Sequence, residues 1–166
     1  SVAENIGYGL KLRGINRADR DRKIAEILEK MNARMNRGDV PLNLNASTLM
    51  THAYMYSHDD SLKQWVTDYL NVWHDRAKAN NGILPDNVGL TGKIGEYNDG
   101  KWWGGYYGWR WPHGYTTIIE PLTNASMNAV LLTGEMKHLE LARSQEDFIW
   151  SLRKDVDGVT KSPMKH

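Results

Sequence analysis

Residues 45–73 read NASTLMTHAYMYSHDDSLKQWVTDYLNVW, and residues 124–150 read NASMNAVLLTGEMKHLELARSQEDFIW. Each stretch opens on Asn-Ala-Ser, runs through a weakly charged segment, breaks at a short polar turn and resumes as a charged, periodic segment. Asn45-Ala46-Ser47 recurs as Asn124-Ala125-Ser126, the turn Ser57-His58-Asp59 answers Thr133-Gly134-Glu135, and Leu62 and Trp73 recur as Leu139 and Trp150. In the first copy Ala46, Leu49, Met50, Ala53 and Tyr54 fall on one side of a helix with few charges, which predicts a buried helix. Leu62, Trp65, Val66, Tyr69, Leu70, Trp73 and Ala77 then keep helical spacing until Asn80-Asn81-Gly82. In the second copy Leu122 to Leu132 is apolar nearly all round, and Met136 to about Asp155 is a mixed helix carrying Leu139, Ala142, Ile149 and Leu152. The pattern predicts two antiparallel helical hairpins, over 45–79 and 122–155.

A hairpin of this kind buries its inner helix only against neighbouring hairpins, so such units stack into solenoids or close into rings. The predicted fold is therefore mainly α, an arc of an (α/α) toroid. A further amphipathic helix is expected over 18–37, with Ile24, Ile27, Leu28, Met31 and Met35 on its apolar face and Gly38 as its stop. Asp19, Asp21, Glu26 and Glu29 interleave with its basic residues at salt-bridge spacing, which marks a solvated face rather than a nucleic-acid stripe. At 166 residues the chain has the size of one domain. Two hairpins and one helix cannot close a ring, so the expectation is a piece of a larger toroid. Its cut edges would expose apolar surface unless the remaining hairpins or another chain cover them.

Twenty-one Lys and Arg against twenty Asp and Glu leave a formal charge of +1. A balance so close to zero supplies no field that favours nucleic acid or anionic membrane. No run of about 20 apolar residues is present to span a bilayer. The absence of cysteine removes thiolate nucleophiles, disulfides and Cys-ligated metals from consideration, without fixing a compartment.

Between the hairpins, residues 80–120 have no helical period. Four of the chain's seven Trp lie here (Trp102, Trp103, Trp109, Trp111), with Tyr97, Tyr106, Tyr107 and Tyr115 out of eight Tyr, beside a single Phe in the whole chain. Disordered segments are poor in aromatics, so this loop is expected to be ordered and functional. Glycines from Gly89 to Gly114 permit positive φ and close backbone approach, which lets the rings splay apart. Flat aromatic faces with polar edges suit the C–H face of a pyranose, and Arg110, His113, Lys101, Asn87 and Asp86 supply partners for hydroxyls and carboxylates. Pure packing of the rings at one end of a helical barrel is the alternative. No Gly-Lys-Ser/Thr follows Gly104-Gly105, so this is no phosphate loop, and Asp86, Glu96 and Asp99 lack EF-hand spacing. No metal and no cofactor are expected.

The run Asn80-Asn81-Gly82-Ile83-Leu84-Pro85-Asp86-Asn87-Val88-Gly89, followed by Gly92-Lys93-Ile94-Gly95 and Lys101-Trp102-Trp103-Gly104-Gly105-Tyr106-Tyr107-Gly108-Trp109 after an outer helix, resembles carbohydrate-active enzymes built on an (α/α) toroid, among them bacterial polysaccharide lyases and glycoside hydrolases. The resemblance covers roughly residues 40–152. It implies a polysaccharide or oligosaccharide partner, a periplasmic or extracellular location, and a site on loops at one end of the ring. It further implies β-elimination on a uronic-acid-containing glycan, with Tyr106, Tyr107 or His113 as base and Arg110, Lys101 or Asn87 neutralising the carboxylate. Asp86 joins the candidate catalytic residues; Trp102, Trp103, Trp109, Trp111, Lys101, Asn87 and Glu96 are the expected substrate contacts. Hydrolysis would instead need paired carboxylates drawn from Asp86, Glu96, Asp99 and Glu120. A non-catalytic glycan-binding module would use the same aromatic wall, and a structural helical repeat would bury the four loop tryptophans.

Overall fold

A computed structural model describes residues 1–36 and 38–164. The chain is mainly helical. Helix α1 (Val2–Leu12) starts at a capping box in which the Ser1 side chain accepts from the Glu4 N–H and Glu4 reaches back to the Ser1 backbone. Helix α2 (Arg17–Asn36) packs against it. Gly7 makes room for this contact, since a Cβ there would stand 3.1 Å from Ile24 Cδ1. Ile24, Ile27 and Leu28 are half-buried as their spacing predicts, while Arg37 and the side chains of Met31 and Met35 lie outside the described residues. Exposed pairs Arg22–Asp19 (2.9 Å) and Arg17–Asp21 (3.8 Å) make the opposite face the solvated, charge-laced surface expected.

The two hairpins follow. Helices α3 (Ala46–Ser57) and α4 (Asp60–Ala79) form the first, entered through a 3₁₀ turn at Pro41–Asn45. Helix α5 (Tyr115–Thr133) and helix α6 (Glu140–Ser151), joined through a 3₁₀ turn at Met136–Leu139, form the second. Their turns share one hydrogen-bond pattern at positions 76 apart. The hydroxyls of Ser57 and Thr133 donate to the carbonyls of Ala53 and Ala129 and accept from the N–H of Asp59 and Glu135. His58 and Gly134, both left-handed at φ 54° and 75°, donate to Tyr54 and Val130. The matching Asn-Ala-Ser segments also meet: Asn124 Nδ2 donates to Asn45 Oδ1 (3.1 Å), and one turn on Asn128 Nδ2 donates to Ser47 Oγ (3.0 Å) and Thr48 Oγ1 (3.1 Å). Partners advance together along both helices, so α3 and α5 run parallel.

Helix α5 is the centre of the molecule, packed on α3, α4 and α6, with Ile118, Leu122, Ala125 and Ala129 buried. It begins at Tyr115 rather than at Leu122, so the loop is shorter than expected and Pro121 lies inside the helix. Proline there removes one backbone donor and crowds the preceding turn, and burial of its ring against the core offsets that cost.

Three expectations are corrected. Helix α3 is not buried: Leu49 is 70% exposed, and its inward side is Ser47, Met50, Thr51 and Tyr54, one position round from the predicted stripe. The last helix stops at Ser151, and a β-hairpin of β1 (Lys154–Val156) and β2 (Val159–Lys161) replaces its end. Asp157-Gly158, both at positive φ, form its two-residue turn, the signal for a tight hairpin that Val156-Asp-Gly-Val159 carries. Trp150 is 58% exposed and does not repeat the fully buried Trp73. The buried positions of α4 (Val66, Leu70, Trp73, Ala77) recur as His138, Ala142, Gln145 and Ile149, with the same 4-3-4 spacing but a register 72 positions on.

Gln145 therefore occupies the place of Trp73, and it is fully buried. Its Oε1 accepts from the Leu84 N–H (2.8 Å) and its Nε2 donates to the Gly82 carbonyl (2.8 Å), tying α6 to the start of the loop. Gln145→Leu keeps the volume but strands a buried donor and a carbonyl. It should lower unfolding free energy by about 3 kcal/mol, read as a shift in denaturant midpoint with unchanged slope; a wild-type midpoint would show that these bonds do not hold the loop.

Candidate functional site

The loop between α4 and α5 is built around one carboxylate. Asp86 is fully buried; its Oδ1 accepts from the Gly105 N–H (2.8 Å), its Oδ2 from the Trp109 N–H (2.6 Å), and its own N–H donates to the Trp102 carbonyl (2.9 Å). A charged acceptor for backbone donors folds Gly104–Trp109 back over residues 84–88. The approach is so close that glycine is required: a Cβ on Gly105 would stand 1.7 Å from the Asp86 carbonyl oxygen, and one on Gly108 2.0 Å from Asp86 Oδ2. Asn98 Nδ2 donates to the Trp103 carbonyl (2.5 Å), and Trp109 Nε1 to the Leu84 carbonyl (2.7 Å).

This scaffold sorts the sequence-predicted residues into two groups. Asp86, Asn87 and Trp109 are buried and present nothing to a ligand at the surface. The catalytic role expected of Asp86 is thus replaced by a structural one, because both its oxygens are engaged by backbone N–H groups. Trp109 is a core ring stacked on Tyr115, at 6.4 Å between centroids. Trp102 packs against the core and faces an apolar cavity of about 280 Å³ shared with Ile83, Phe148 and Leu152. Glu96 accepts from the Thr91 N–H and hydroxyl (3.2 and 2.9 Å), holding the turn beside Gly89.

The second group reaches solvent. Lys101 Nζ lies 5.4 Å and Arg110 Cζ 4.8 Å from the centroid of the half-exposed Trp103 ring. Neither cation enters an ion pair with a carboxylate among the described residues. Beside them Tyr106, Tyr107 and Trp111 form an aromatic cluster, with centroids 4.4 Å (Tyr106–Tyr107), 4.7 Å (Tyr107–Trp111) and 5.4 Å (Tyr106–Trp111) apart. Tyr107 has φ 52°. A non-glycine residue there costs on the order of 1 kcal/mol, and its ring is held in the cluster. The hydrogen bond with Tyr107 and, secondarily, desolvation push the Tyr106 hydroxyl above its ordinary pKa, which keeps it a neutral donor. His113 is exposed just before α5. Asp99 and Glu120 are exposed, one at a turn and the other on α5, while Asp86 is buried.

A second constellation escaped the sequence reading. Asp39, held by a two-way backbone bridge to Val88, accepts from Arg76 Nη1 (2.5 Å) on Oδ2 and from Tyr69 Oη (2.8 Å) and Asn43 Nδ2 (3.0 Å) on Oδ1. Burial, then the Asp39 charge, raises the Tyr69 pKa well above its usual range. These groups line an open cleft of about 590 Å³ bounded by Trp65 and by the turn Gly89–Gly92. The available signal was Trp65, Tyr69 and Trp73, read as helical spacing alone, with Arg76, which was not singled out, following on the same face of α4.

No described helix is long and apolar enough to cross a membrane. Comparison with curated proteins yields no match, and comparison with solved structures yields none. Residues 2–165 match the family model described as Domain of unknown function (DUF8034), and over that span the chain belongs to this family.

Proposed function

We propose that this domain binds an acidic oligosaccharide, of the uronic-acid-containing kind, on the loop face of an (α/α) repeat. The observation that carries the reading is Trp103 with two cations, Lys101 and Arg110, over its ring. An aromatic face offers a platform for the apolar side of a pyranose, and adjacent cations without carboxylate partners among the described residues suit a sugar carboxylate. The glycine scaffold around Asp86 holds these groups on a fixed frame, so little ordering is needed on binding. The parallel α3 and α5 and their matching turns support two consecutive hairpins of a toroid, which further hairpins or another chain would complete.

For such an assembly the reaction we attach to this face is β-elimination. Arg110 would neutralise the uronate and His113 would take the proton α to the carboxylate. The bond to the leaving glycosidic oxygen then breaks as the double bond forms, and Tyr106 returns a proton to that oxygen. Incubation with polygalacturonate tests it: absorbance of an unsaturated product that His113→Ala removes supports elimination, and new reducing ends without that absorbance favour hydrolysis. Binding is tested separately by titrating tetragalacturonate at low salt. Trp103→Ala should weaken it about tenfold, the scale of one lost stacking contact, and absence of tetragalacturonate binding to the wild-type chain refutes the reading.

A further inference from the structure

We infer that the cleft between α4 and the Gly89–Gly92 turn is a second, separate binding site, specific for a neutral polyhydroxylated ring that presents two adjacent hydroxyls to Asp39 and Arg76. The inference rests on this cleft's own geometry and not on the loop face.

Charge decides the ligand class. Arg76 and Asp39 face each other at 2.5 Å with their side chains 16% and 21% exposed, so the cation that lines the cleft among the described residues is already neutralised. A carboxylated sugar would bring an anion to a lining with no uncompensated positive charge among the described residues, at a desolvation cost that none of them repays. A neutral ring has no such cost.

Hydrogen-bond capacity sets the pattern. A carboxylate offers about four acceptor positions and a guanidinium five donors. Asn43 and Tyr69 occupy Asp39 Oδ1, and Arg76 takes one position on Oδ2. One acceptor position on Oδ2 is left beside the further N–H groups of Arg76. An adjacent donor and acceptor match a vicinal diol, one hydroxyl donating to Asp39 and the next accepting from Arg76. The guanidinium is kept in place by the Trp73 ring, 4.5 Å below it, so the pair is pre-positioned.

Shape agrees with this chemistry. Trp65 is 38% exposed at the rim and its ring lies 5.0 Å from that of Tyr69, tilted by 31°. Together they make an aromatic wall for the C–H face of a ring, opposite the backbone of Gly89 and Gly92. A volume of about 590 Å³ is within the usual range for small-molecule sites.

The test uses NMR of the Trp indole N–H signals and calorimetric titration with cellotetraose and mannotetraose as neutral probes and tetragalacturonate as the acidic one. The expected result is that a neutral probe shifts the Trp65 signal, and that Trp65→Ala weakens its binding about tenfold while tetragalacturonate binding, which Trp103→Ala weakens, is unchanged. Asp39→Asn should reverse the preference of the cleft, with neutral affinity lost and the Trp65 signal now moved by tetragalacturonate, because Arg76 is no longer neutralised. Thermal melts confirm that each variant is folded; should Asp39→Asn fail to fold, Trp65→Ala alone decides. Absence of any Trp65 shift with both neutral probes overturns the proposal, as does a Trp65→Ala variant that binds them like the wild type. Loss of tetragalacturonate binding in the wild-type chain would refute the loop-face reading and leave this one standing.

Discussion

Asp86→Ala should lower unfolding free energy by about 4 kcal/mol, on the basis of two charge-assisted hydrogen bonds at roughly 1.5–3 kcal/mol each. The carboxylate is fully buried and receives the N–H groups of Gly105 and Trp109 at 2.8 and 2.6 Å. Alanine leaves both donors unpaired beneath the aromatic loop and opens a small void. Asp86→Asn should fall between alanine and wild type, since an amide has one acceptor oxygen and turns its NH₂ toward the other backbone donor. The contact geometry gives a second route to the same collapse. Gly105→Ala drives a Cβ to within 1.7 Å of the Asp86 carbonyl oxygen, which is backbone and cannot swing away. Chemical denaturation gives the stability change, and near-ultraviolet circular dichroism reports whether the loop tryptophans lose their fixed packing. A near-wild-type midpoint for Asp86→Ala would mean that the loop is held by its rings alone and that the carboxylate at its centre serves another purpose.

The largest functional effect is expected from reversing both cations over Trp103. In Lys101→Glu/Arg110→Glu, two favourable charge contacts to a uronate become two repulsions, and binding of tetragalacturonate should fall by at least about a hundredfold at low salt, from roughly 1.5 kcal/mol for each charged hydrogen bond. Both side chains are exposed, so the fold should be unaffected. Raising ionic strength should weaken the wild-type interaction and leave the double variant nearly insensitive. The same double variant should bind neutral tetrasaccharides as the wild type does, because the Asp39–Arg76 cleft contains neither residue. Retained, salt-dependent tetragalacturonate binding in the double variant would locate the acidic site elsewhere.

How far the residue pattern reaches can be judged from particular elements. The face of α4 was legible because Val66, Leu70, Trp73 and Ala77 hold one helical period without interruption, and all four are buried. The turns after α3 and α5 were legible from Ser57-His58-Asp59 and Thr133-Gly134-Glu135, since a hydroxyl, a left-handed residue and an acidic residue are local requirements. Helix α3 misled because exposure is not local. Leu49 and Ala53 are apolar and helical in spacing, yet both are exposed, Leu49 by 70%, with no described element packed over them. Trp150 misled in the same way: identity to Trp73 suggested equivalence, while the packing register placed Gln145 there.

The candidate site divides along the same line. That 80–120 would hold an ordered, aromatic, glycine-dependent segment followed from its composition, because so many rings cannot remain solvated and so many glycines signal unusual backbone angles; that it ends at Gly114 did not. Which residues face outward did not follow. Asp86 and Arg110 are both charged residues near the aromatic run, and only the fold puts one beneath the loop, bonded to Gly105 and Trp109, and the other over Trp103. Asp39 and Arg76 are 37 positions apart, and no spacing rule links them. By itself the amino-acid sequence determined the helices from α2 onward, the turns of the two hairpins and the ordered loop, since these depend on period and on residues a few positions apart; α1 (Val2–Leu12) was not read from it. Tertiary structure alone decided the burial of Asp86, the exposure of Trp103 with its two cations and the meeting of Asp39 with Tyr69 and Arg76, because each depends on how distant segments pack and on which side water is left.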